Sequence, residues 1–230
     1  MADYVLVHGA FQGGWIWKPV AERLTAAGHT VYRPTLDGCA ERQSSLRPEI
    51  SFESAGAELA SLLFFEDLKD VVLVSTSVGG IVVCVAAPRA AERIRRLVFV
   101  DALIPTPGET VPVINNRPPY DRSELVYGPQ PEAARGRVFT DLSPDVQEWA
   151  LARYRRHPVA LVDDPVDVAA FWASQWSVGV LRCTRSPVPP AAHQRRAADH
   201  FGGSYAELDS SHYPMLSHPH ELTRYLLERA

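Results

Sequence analysis

The sequence predicts an α/β fold, a doubly wound and mostly parallel sheet with helices on both faces. Short apolar runs rich in β-branched residues alternate with longer runs of helical periodicity, a pattern typical of such a sheet. With 230 residues, of which 46% are hydrophobic and 22% charged, the chain is long enough to bury one such core. We therefore predict a single domain over residues 1–230.

Strands and helices alternate regularly through the first half of the chain. Glycine and proline mark the predicted ends, because glycine accepts the conformation that closes a helix and proline cannot continue one. In order, we predict a strand over residues 4–7, a helix ending at Gly28, a strand near residues 29–33, a helix over residues 52–65, a strand over residues 71–74 and a helix from Ile81 to Pro88.

After Asp101 the alternation stops and later resumes. A strand over residues 97–100 ends at Asp101, and seven prolines then fall between residues 105 and 131 without a strand-like run. We predict an insertion over one edge of the sheet, too short to have a core of its own, across residues 102–177. Its helical patches and the elements after it are residues 144–156, residues 166–175, a strand over 178–184, a helix over 191–201, a strand over 204–208 and a helix beginning at Pro219.

The strand–turn–helix around Ser77 is the first candidate for chemistry. A serine in the sharp turn between a strand and a helix matches the pattern G-x-S-x-G, in which small residues lie two positions before and after it. Gly79 meets that demand, and Ser75 is one hydroxymethyl group larger than glycine. The start of the helix offers a positive dipole end and free backbone N–H groups to a developing anion. The alternative is an ordinary strand–turn–helix whose serines cap the helix.

His212 is the candidate base for this serine. It follows the last predicted strand and precedes the last helix, and a serine needs an imidazole within hydrogen-bond reach to take its proton. For the oxyanion, we predict the backbone N–H groups of Val78 and of Ala10, with Phe11 as the next choice for the second donor.

Composition argues against several other classes of protein. A net charge of -4 gives no reason to expect nucleic acid or an anionic membrane as a partner.

The three cysteines lie far apart and form no C-x-x-C pair, so a disulfide framework or zinc site is not indicated. A reducing, cytoplasmic setting fits best. His218 and His220 flank Pro219 at a helix start, which favours helix-end polarity over a metal site. We expect no metal and no cofactor.

Three stretches, residues 5–17, 71–80 and 209–222, resemble the α/β-hydrolase superfamily. The branch they resemble most is that of small bacterial esterase-like proteins akin to plant methylesterases and hydroxynitrile lyases. The resemblance implies a Ser–His–Asp hydrolase without a cofactor, in which residues 102–177 form a helical cap over the active site. It also implies Ser77 as the nucleophile, His212 as the base, and Ala10 with Val78 as the oxyanion hole.

The sequence departs from this family in two places. The family elbow usually reads Gly-His-Ser-x-Gly-Gly, whereas Ser75 and Thr76 precede Ser77 here. The family acid usually follows the strand over residues 178–184, where this chain has Ser186, which cannot hold an imidazolium by charge. Asp101 follows the preceding strand and is the candidate to replace it, since the superfamily can place the acid there. The alternative is that Asp101 is only a structural acid.

Three functions follow, in order of preference. The first is an esterase, thioesterase or lactonase acting on a small apolar carbonyl compound. The second is a lyase, cyclase or isomerase with a degenerate triad, although the pocket lysine of hydroxynitrile lyases has no counterpart because Lys18 and Lys69 lie elsewhere. The third is a ligand-binding protein. We expect a small-molecule substrate and leave a homodimer open. Residues proposed for an apolar pocket, or for the core of the cap, are Leu103, Tyr120, Phe171, Trp172 and Trp176.

Overall fold

A six-stranded parallel sheet forms the centre of the molecule, with strand order β2-β1-β3-β4-β7-β8. The computed structural model describes residues 1–128 and 130–229, so Pro129, one of the seven prolines of the proposed insertion, lies outside the described residues. Within the described residues, the strands are β1 (Asp3–Val7), β2 (Thr30–Tyr32), β3 (Val71–Ser77), β4 (Ile94–Ala102), β5 (Val126–Tyr127), β6 (His157–Pro158), β7 (Val178–Cys183) and β8 (Ser204–Leu208).

Helices of very different lengths connect these strands. Those between β4 and β7 are mostly short, and none of the helices within residues 1–128 and 130–229 has the length and apolarity to cross a membrane. The helices are α1 (Lys18–Ala26), α2 (Phe52–Phe65), α3 (Gly79–Ala86), α4 (Val111–Ile114), α5 (Pro131–Arg137), α6 (Pro144–Leu151), α7 (Ala160–Asp163), α8 (Ala169–Ala173), α9 (Ala191–His200), α10 (Pro214–Ser217) and α11 (Pro219–Leu227).

The two faces of the sheet are covered by different helices. Because side chains alternate along a strand, Val72 and Val74 of β3 join one apolar cluster, while Val71 and Leu73 join the other. Helices α1 and α11 cover the first face, and α2, α3 and α9 the second. Full burial of a valine or leucine side chain contributes about 1.5–3 kcal/mol, so this alternation fixes which face each strand presents. The predicted doubly wound sheet is confirmed.

The junction between β3 and α3 differs in detail from the prediction. Strand β3 continues to Ser77, and α3 begins at Gly79 instead of at Ile81. Glycine is required at this start, because a Cβ at Gly79 would lie 2.4 Å from the His8 carbonyl oxygen. One at Gly80 would lie 2.4 Å from the Leu103 carbonyl oxygen. The first turn of α3 therefore packs directly against the backbone of two neighbouring loops.

Residues 103–177 contain more structure than the sequence indicated. In the described part of this stretch lie five short helices, α4 to α8, and Val126 and Tyr127 pair with Pro158 and His157 in a two-residue antiparallel ladder. The expectation of no strand in the proline-rich stretch is therefore wrong, because a ladder of two residues leaves no periodicity to recognise. The helical patches are also shorter than predicted, over Pro144–Leu151 and Ala169–Ala173.

We expect Gly79→Ala to destabilise the protein by about 1–3 kcal/mol, since the new methyl group would overlap a backbone carbonyl that cannot easily move. Urea denaturation followed by far-UV circular dichroism measures the loss. Gly136→Ala is the matched control, because a Cβ at this exposed position in α5 meets no atom within 4 Å. That variant should be neutral or slightly more stable. Equal stability of the two variants would contradict the close packing at Gly79.

Candidate active site

Ser77 occupies the sharp turn between β3 and α3. Its backbone has a φ of +53°, a left-handed conformation that is unusual for a residue other than glycine and that is typical of strained functional turns. A Cβ at Gly9 would lie 2.6 Å from the Ser77 Cβ, so the loop after β1 approaches the serine as closely as a glycine allows. Val78 follows as the N-cap of α3. The local geometry is that of a nucleophile elbow.

Asp101 lies at the end of the adjacent strand, β4, and is fully buried. The β3–β4 pairing passes from Thr76 with Val100 to Ser77 with Ala102, which leaves Asp101 as the extra residue of a bulge. Its φ of +47° belongs to the same irregularity. Bulges re-aim side chains next to active sites, and this one directs the carboxylate to His212.

His212 lies in the loop between β8 and α10 and is only 3% exposed. Its Nδ1 is 2.6 Å from Asp101 Oδ2 and 3.3 Å from Ser186 Oγ. The Ser186 hydroxyl donates to the Val188 carbonyl at 2.6 Å, so toward the imidazole it can only accept. Two acceptors therefore face Nδ1, which must carry the proton and leaves Nε2 able to accept one.

The Asp101 carboxylate accepts three hydrogen bonds. Besides that from His212, Oδ1 accepts from the Cys183 backbone N–H at 3.2 Å and from Gln194 Nε2 at 2.8 Å. A buried carboxylate with donors on both oxygens has a fixed orientation. The sequence offered Asp101 as the acid only through the family resemblance, because the superfamily can place the acid after this strand, and it left a structural acid as the alternative. Nothing in the sequence pointed to Gln194, since a lone glutamine on a helix carries no distinguishing pattern.

Asp141 holds the loop that carries His212. Its carboxylate accepts from the Ser211 backbone N–H at 2.7 Å and from the Ser211 hydroxyl, and His218 Nδ1 lies 3.7 Å from it. His218 also contacts the Ser217 hydroxyl at 2.8 Å, where α10 meets α11. These polar contacts hold the loop that carries His212 in place. The sequence did not indicate this role of Asp141.

A cavity of about 690 Å³ opens beside these residues. Ser77 and His212 both line it, as do Ala10 and Val78, the residues predicted to supply the oxyanion-hole N–H groups, and Phe11. The structure thus brings the predicted nucleophile, base and oxyanion residues to one cavity. Asp101 lies behind the imidazole, out of contact with the cavity.

Aromatic rings form much of the cavity wall. The Arg117 guanidinium lies 4.0 Å from the ring centroid of Tyr120, which stacks on Tyr127 with centroids 3.9 Å apart. Tyr127 in turn contacts Phe11 at 4.8 Å, and Phe11 contacts Tyr154 at 5.1 Å. This row leads from the outer part of the cavity to the loop after β1, and it offers flat apolar surface to a bound molecule.

The residues suggested for an apolar pocket divide into two groups. Leu103 and Tyr120 line the cavity. Phe171 is fully buried and stacks on Trp176 with ring centroids 5.8 Å apart, while Trp172 stacks on Phe201 at 5.3 Å. These three residues therefore belong to the core, where they pack against one end of α9. For them the second of the two predicted roles, a place in the core of the cap and not in the pocket, is the correct one.

The two lysines lie away from the cavity. Lys18 Nζ is 3.8 Å from Glu22 on the exposed side of α1, and Lys69 Nζ is 3.4 Å from Asp67. Among the described residues that line the cavity there is no lysine. A lyase that depends on a pocket lysine therefore finds no such group here.

Two buried histidines beneath the site remain neutral at physiological pH. Burial lowers the pKa of His8 to about 4, although a hydrogen bond to the Gly9 carbonyl acts in the opposite direction. Burial and the neighbouring His8 lower the pKa of His157 to about 3. His8 Nε2 accepts from the Leu36 backbone N–H at 3.0 Å, which a neutral imidazole can do and an imidazolium cannot.

We expect stability to fall as the pH is lowered through about 6.5 toward 4. In the unfolded chain these histidines take up a proton near pH 6.5, whereas the folded chain resists protonation until about pH 4 for His8 and about pH 3 for His157. The unfolded state therefore binds more protons in this window, and acid favours it. Urea denaturation at several pH values measures the slope. His157→Phe should make it shallower, and an unchanged slope would contradict this origin.

The chain belongs to the alpha/beta hydrolase family, whose model matches residues 4–224. A carbendazim-hydrolysing esterase of Nocardioides sp. (strain SG-4G) is 35% identical over 130 residues, which are 56% of this chain and 54% of that protein. Methylesterase 7 of Arabidopsis thaliana is 28% identical over 99% of this chain and 95% of its own. An α-hydroxynitrile lyase of the same plant is 32% identical over 44% of this chain and 40% of its own.

Solved structures show the same fold. An extracellular α/β-hydrolase from a Paenibacillus species, described as homologous in structure and function to tobacco salicylic acid binding protein 2, superposes with a TM-score of 0.85. The identity is 19%, over 100% of this chain and 99% of that one. The predicted α/β-hydrolase resemblance, including its plant methylesterase and hydroxynitrile lyase relatives, is confirmed, whereas a bacterial origin stays a prediction. The esterase and hydrolase names support a carboxylic-ester hydrolase.

Proposed function

We propose that this protein is a serine hydrolase of the esterase, thioesterase or lactonase type, with Ser77 as nucleophile, His212 as base and Asp101 as the acid. The observation that carries the proposal is the short contact between Asp101 Oδ2 and His212 Nδ1, at 2.6 Å, beside a cavity that Ser77 and His212 share. A carboxylate in this place keeps the proton on Nδ1, so that Nε2 is free to accept the serine proton.

The chemistry follows from these positions. Ser77 Oγ attacks the substrate carbonyl carbon while His212 Nε2 takes the hydroxyl proton, and the carbonyl oxygen becomes an oxyanion held by the N–H groups of Ala10 and Val78. The leaving alcohol, thiol or lactone oxygen departs with the proton from Nε2. Water then attacks the acyl-serine in the same way, its proton passes through Nε2 to Ser77, and the acid is released.

Residues 102–177 act in this proposal as a cap over the active site. Their side chains supply the outer wall of the cavity, including Val111, Arg117, Tyr127 and Tyr154. The flat aromatic row favours a substrate with an apolar, planar part next to the ester. The names of the carbendazim-hydrolysing esterase and of methylesterase 7 support the esterase part of the proposal.

A small-molecule substrate, the lack of nucleic-acid and membrane partners and a cytoplasmic setting stay predictions, and a homodimer stays open. A non-hydrolytic reaction on the same scaffold, or ligand binding without turnover, is the outcome to expect if the nucleophile proves inert.

A serine-directed phosphonate together with short p-nitrophenyl esters tests the proposal. We expect turnover of the esters and a single covalent adduct whose peptide mass maps to Ser77. Prior occupation of the cavity by a product acid should slow the labelling, since both molecules need the same site. Neither turnover nor labelling of Ser77 would exclude hydrolysis by this route, and turnover that survives complete labelling would point to a different nucleophile.

A further inference from the structure

We propose that Gln194 is a positioning residue for the catalytic acid, one that fixes the Asp101 carboxylate against His212. The proposal rests on the function proposed above and adds a residue that touches neither the cavity nor the reacting atoms. Gln194 lies in the first turn of α9 and is completely buried. Its amide nitrogen Nε2 is 2.8 Å from Asp101 Oδ1 and 3.2 Å from the Pro189 carbonyl oxygen.

The surroundings determine the orientation of the amide. Both of its close neighbours, a carboxylate oxygen and a backbone carbonyl, are acceptors only, so the NH₂ group must face them. Gln194 Oε1 points away and is buried without a hydrogen-bond partner among the described residues. A buried carbonyl oxygen without a hydrogen bond lowers the stability of the fold. Here the two hydrogen bonds that Gln194 Nε2 donates offset that loss.

These two hydrogen bonds join α9 to two other parts of the site. Asp101 lies on the bulge of β4, Pro189 belongs to the loop between β7 and α9, and the same loop carries Ser186, which contacts His212 Nδ1 at 3.3 Å. Without Gln194, only the Cys183 N–H would hold Oδ1 at 3.2 Å. Oδ1 would lose the shorter of its two hydrogen bonds, so the Asp101 carboxylate would be held less firmly against His212 Nδ1. Gln194 thus keeps the charged acceptor in place.

Charge is the second consequence of this contact. A hydrogen bond from a neutral amide stabilises the negative charge of the carboxylate. The carboxylate therefore attracts the imidazolium formed during catalysis less strongly than it would without the amide. The other titratable groups that face this pair are the Cys183 thiol of β7 and the Tyr213 phenol beside the imidazole. Burial raises the pKa of both groups, so they remain neutral. Asp101 is then the charged group that contacts His212.

Gln194→Met tests the proposal, because methionine keeps the length of the side chain and removes both donors. We expect kcat for a p-nitrophenyl ester to fall roughly tenfold while KM changes less than about twofold, since Gln194 does not line the cavity. The acid limb of the kcat/KM profile should move to higher pH, because an unmoderated carboxylate holds the imidazolium more strongly. A residue with a purely structural role would leave that limb in place.

Two controls separate a positioning role from a loss of folding. His193→Phe removes another buried hydrogen bond of α9, in which the Ile104 N–H donates to Nε2 at 2.8 Å, and should lower stability without moving the pH limb. In an Asp101→Asn background, Gln194→Met should cause no further loss of kcat, since it acts through the carboxylate. Additive losses in that double variant would overturn the proposal.

A measurement without turnover distinguishes this proposal from the proposed function. The proton between His212 Nδ1 and Asp101 should give a downfield imidazole signal in the NMR spectrum, as a short hydrogen bond to a carboxylate does. We expect Gln194→Met to shift or broaden the signal and His193→Phe to leave it. If the wild-type enzyme proved inactive toward esters, this readout would still test Gln194. An unchanged signal in Gln194→Met would overturn it.

Discussion

Replacement of Ser77 by alanine should lower kcat/KM for ester hydrolysis by roughly 10⁵-fold, because the proposed nucleophile and its proton acceptor would act as a unit. Steady-state kinetics with a short p-nitrophenyl ester, corrected for background hydrolysis, measures the loss. KM for residual turnover should change little, since the cavity wall is otherwise intact. Burial in the core does not depend on the Ser77 hydroxyl, so the melting temperature should remain near that of the wild type.

Ser75→Ala is the matched control for this variant. Ser75 lies two residues earlier in β3, is fully buried, and has a hydroxyl without a hydrogen-bond partner among the described residues. Its replacement removes a hydroxyl from the same strand and should leave activity within a few-fold of the wild type. If Ser77→Ala retained most of its activity on the natural substrate, a lyase, cyclase or isomerase would become the better assignment.

Replacement of Asp101 by asparagine is expected to lower kcat by about 10³–10⁴-fold, by analogy with the serine-protease triad. The amide is nearly isosteric, but it places either a donor or a neutral oxygen at 2.6 Å from His212 Nδ1, so the imidazole loses its orienting charge. A loss of less than tenfold would show that Asp101 is a structural acid, the alternative that the sequence left open.

The position of Ser186 allows a stricter test of the same idea. Its Oγ already lies 3.3 Å from His212 Nδ1, so an aspartate there would bring a carboxylate to the imidazole from the other side. Ser186→Asp in the Asp101→Asn background should restore roughly a hundredfold of the lost kcat. Ser186→Ala in the same background is the control and should restore nothing. If Ser186→Asp restored no more kcat than Ser186→Ala, the loop between β7 and α9 would be unable to orient a carboxylate.

The central sheet could be predicted from the sequence because each strand and its following helix carry their own apolar period. Helix α2 was predicted with its observed bounds, and the capping box of Ser51 and Ser54 at its start is a local feature. The insertion could not be predicted in this way. Its helices of four or five residues, such as α4 and α8, are too short to show a period, and its ladder joins residues far apart along the chain.

The candidate site was only partly accessible to sequence reasoning. Ser77 and His212 were singled out through a turn motif and the order of elements, which are properties of the chain itself. The contact of Asp101 with His212 depends on a bulge in β4, and a bulge depends on how two strands pair. Gln194 and Asp141 are ordinary polar residues whose roles arise only from tertiary contacts, at Asp101 and at Ser211.

Ser77 and Asp101 lie at the carboxyl ends of two neighbouring strands of the sheet, whereas His212 lies on a loop. The spacing between serine and carboxylate is set by the β3–β4 hydrogen-bond ladder, which lies in the most protected part of the molecule. The imidazole belongs to the loop after β8, in which Ser211 donates hydrogen bonds to Asp141 and to the Val138 carbonyl. If this loop alone became disordered, His212 would no longer reach Ser77 and activity would be lost while the sheet stayed folded. We therefore expect activity to be lost at a lower denaturant concentration than the one that unfolds the sheet.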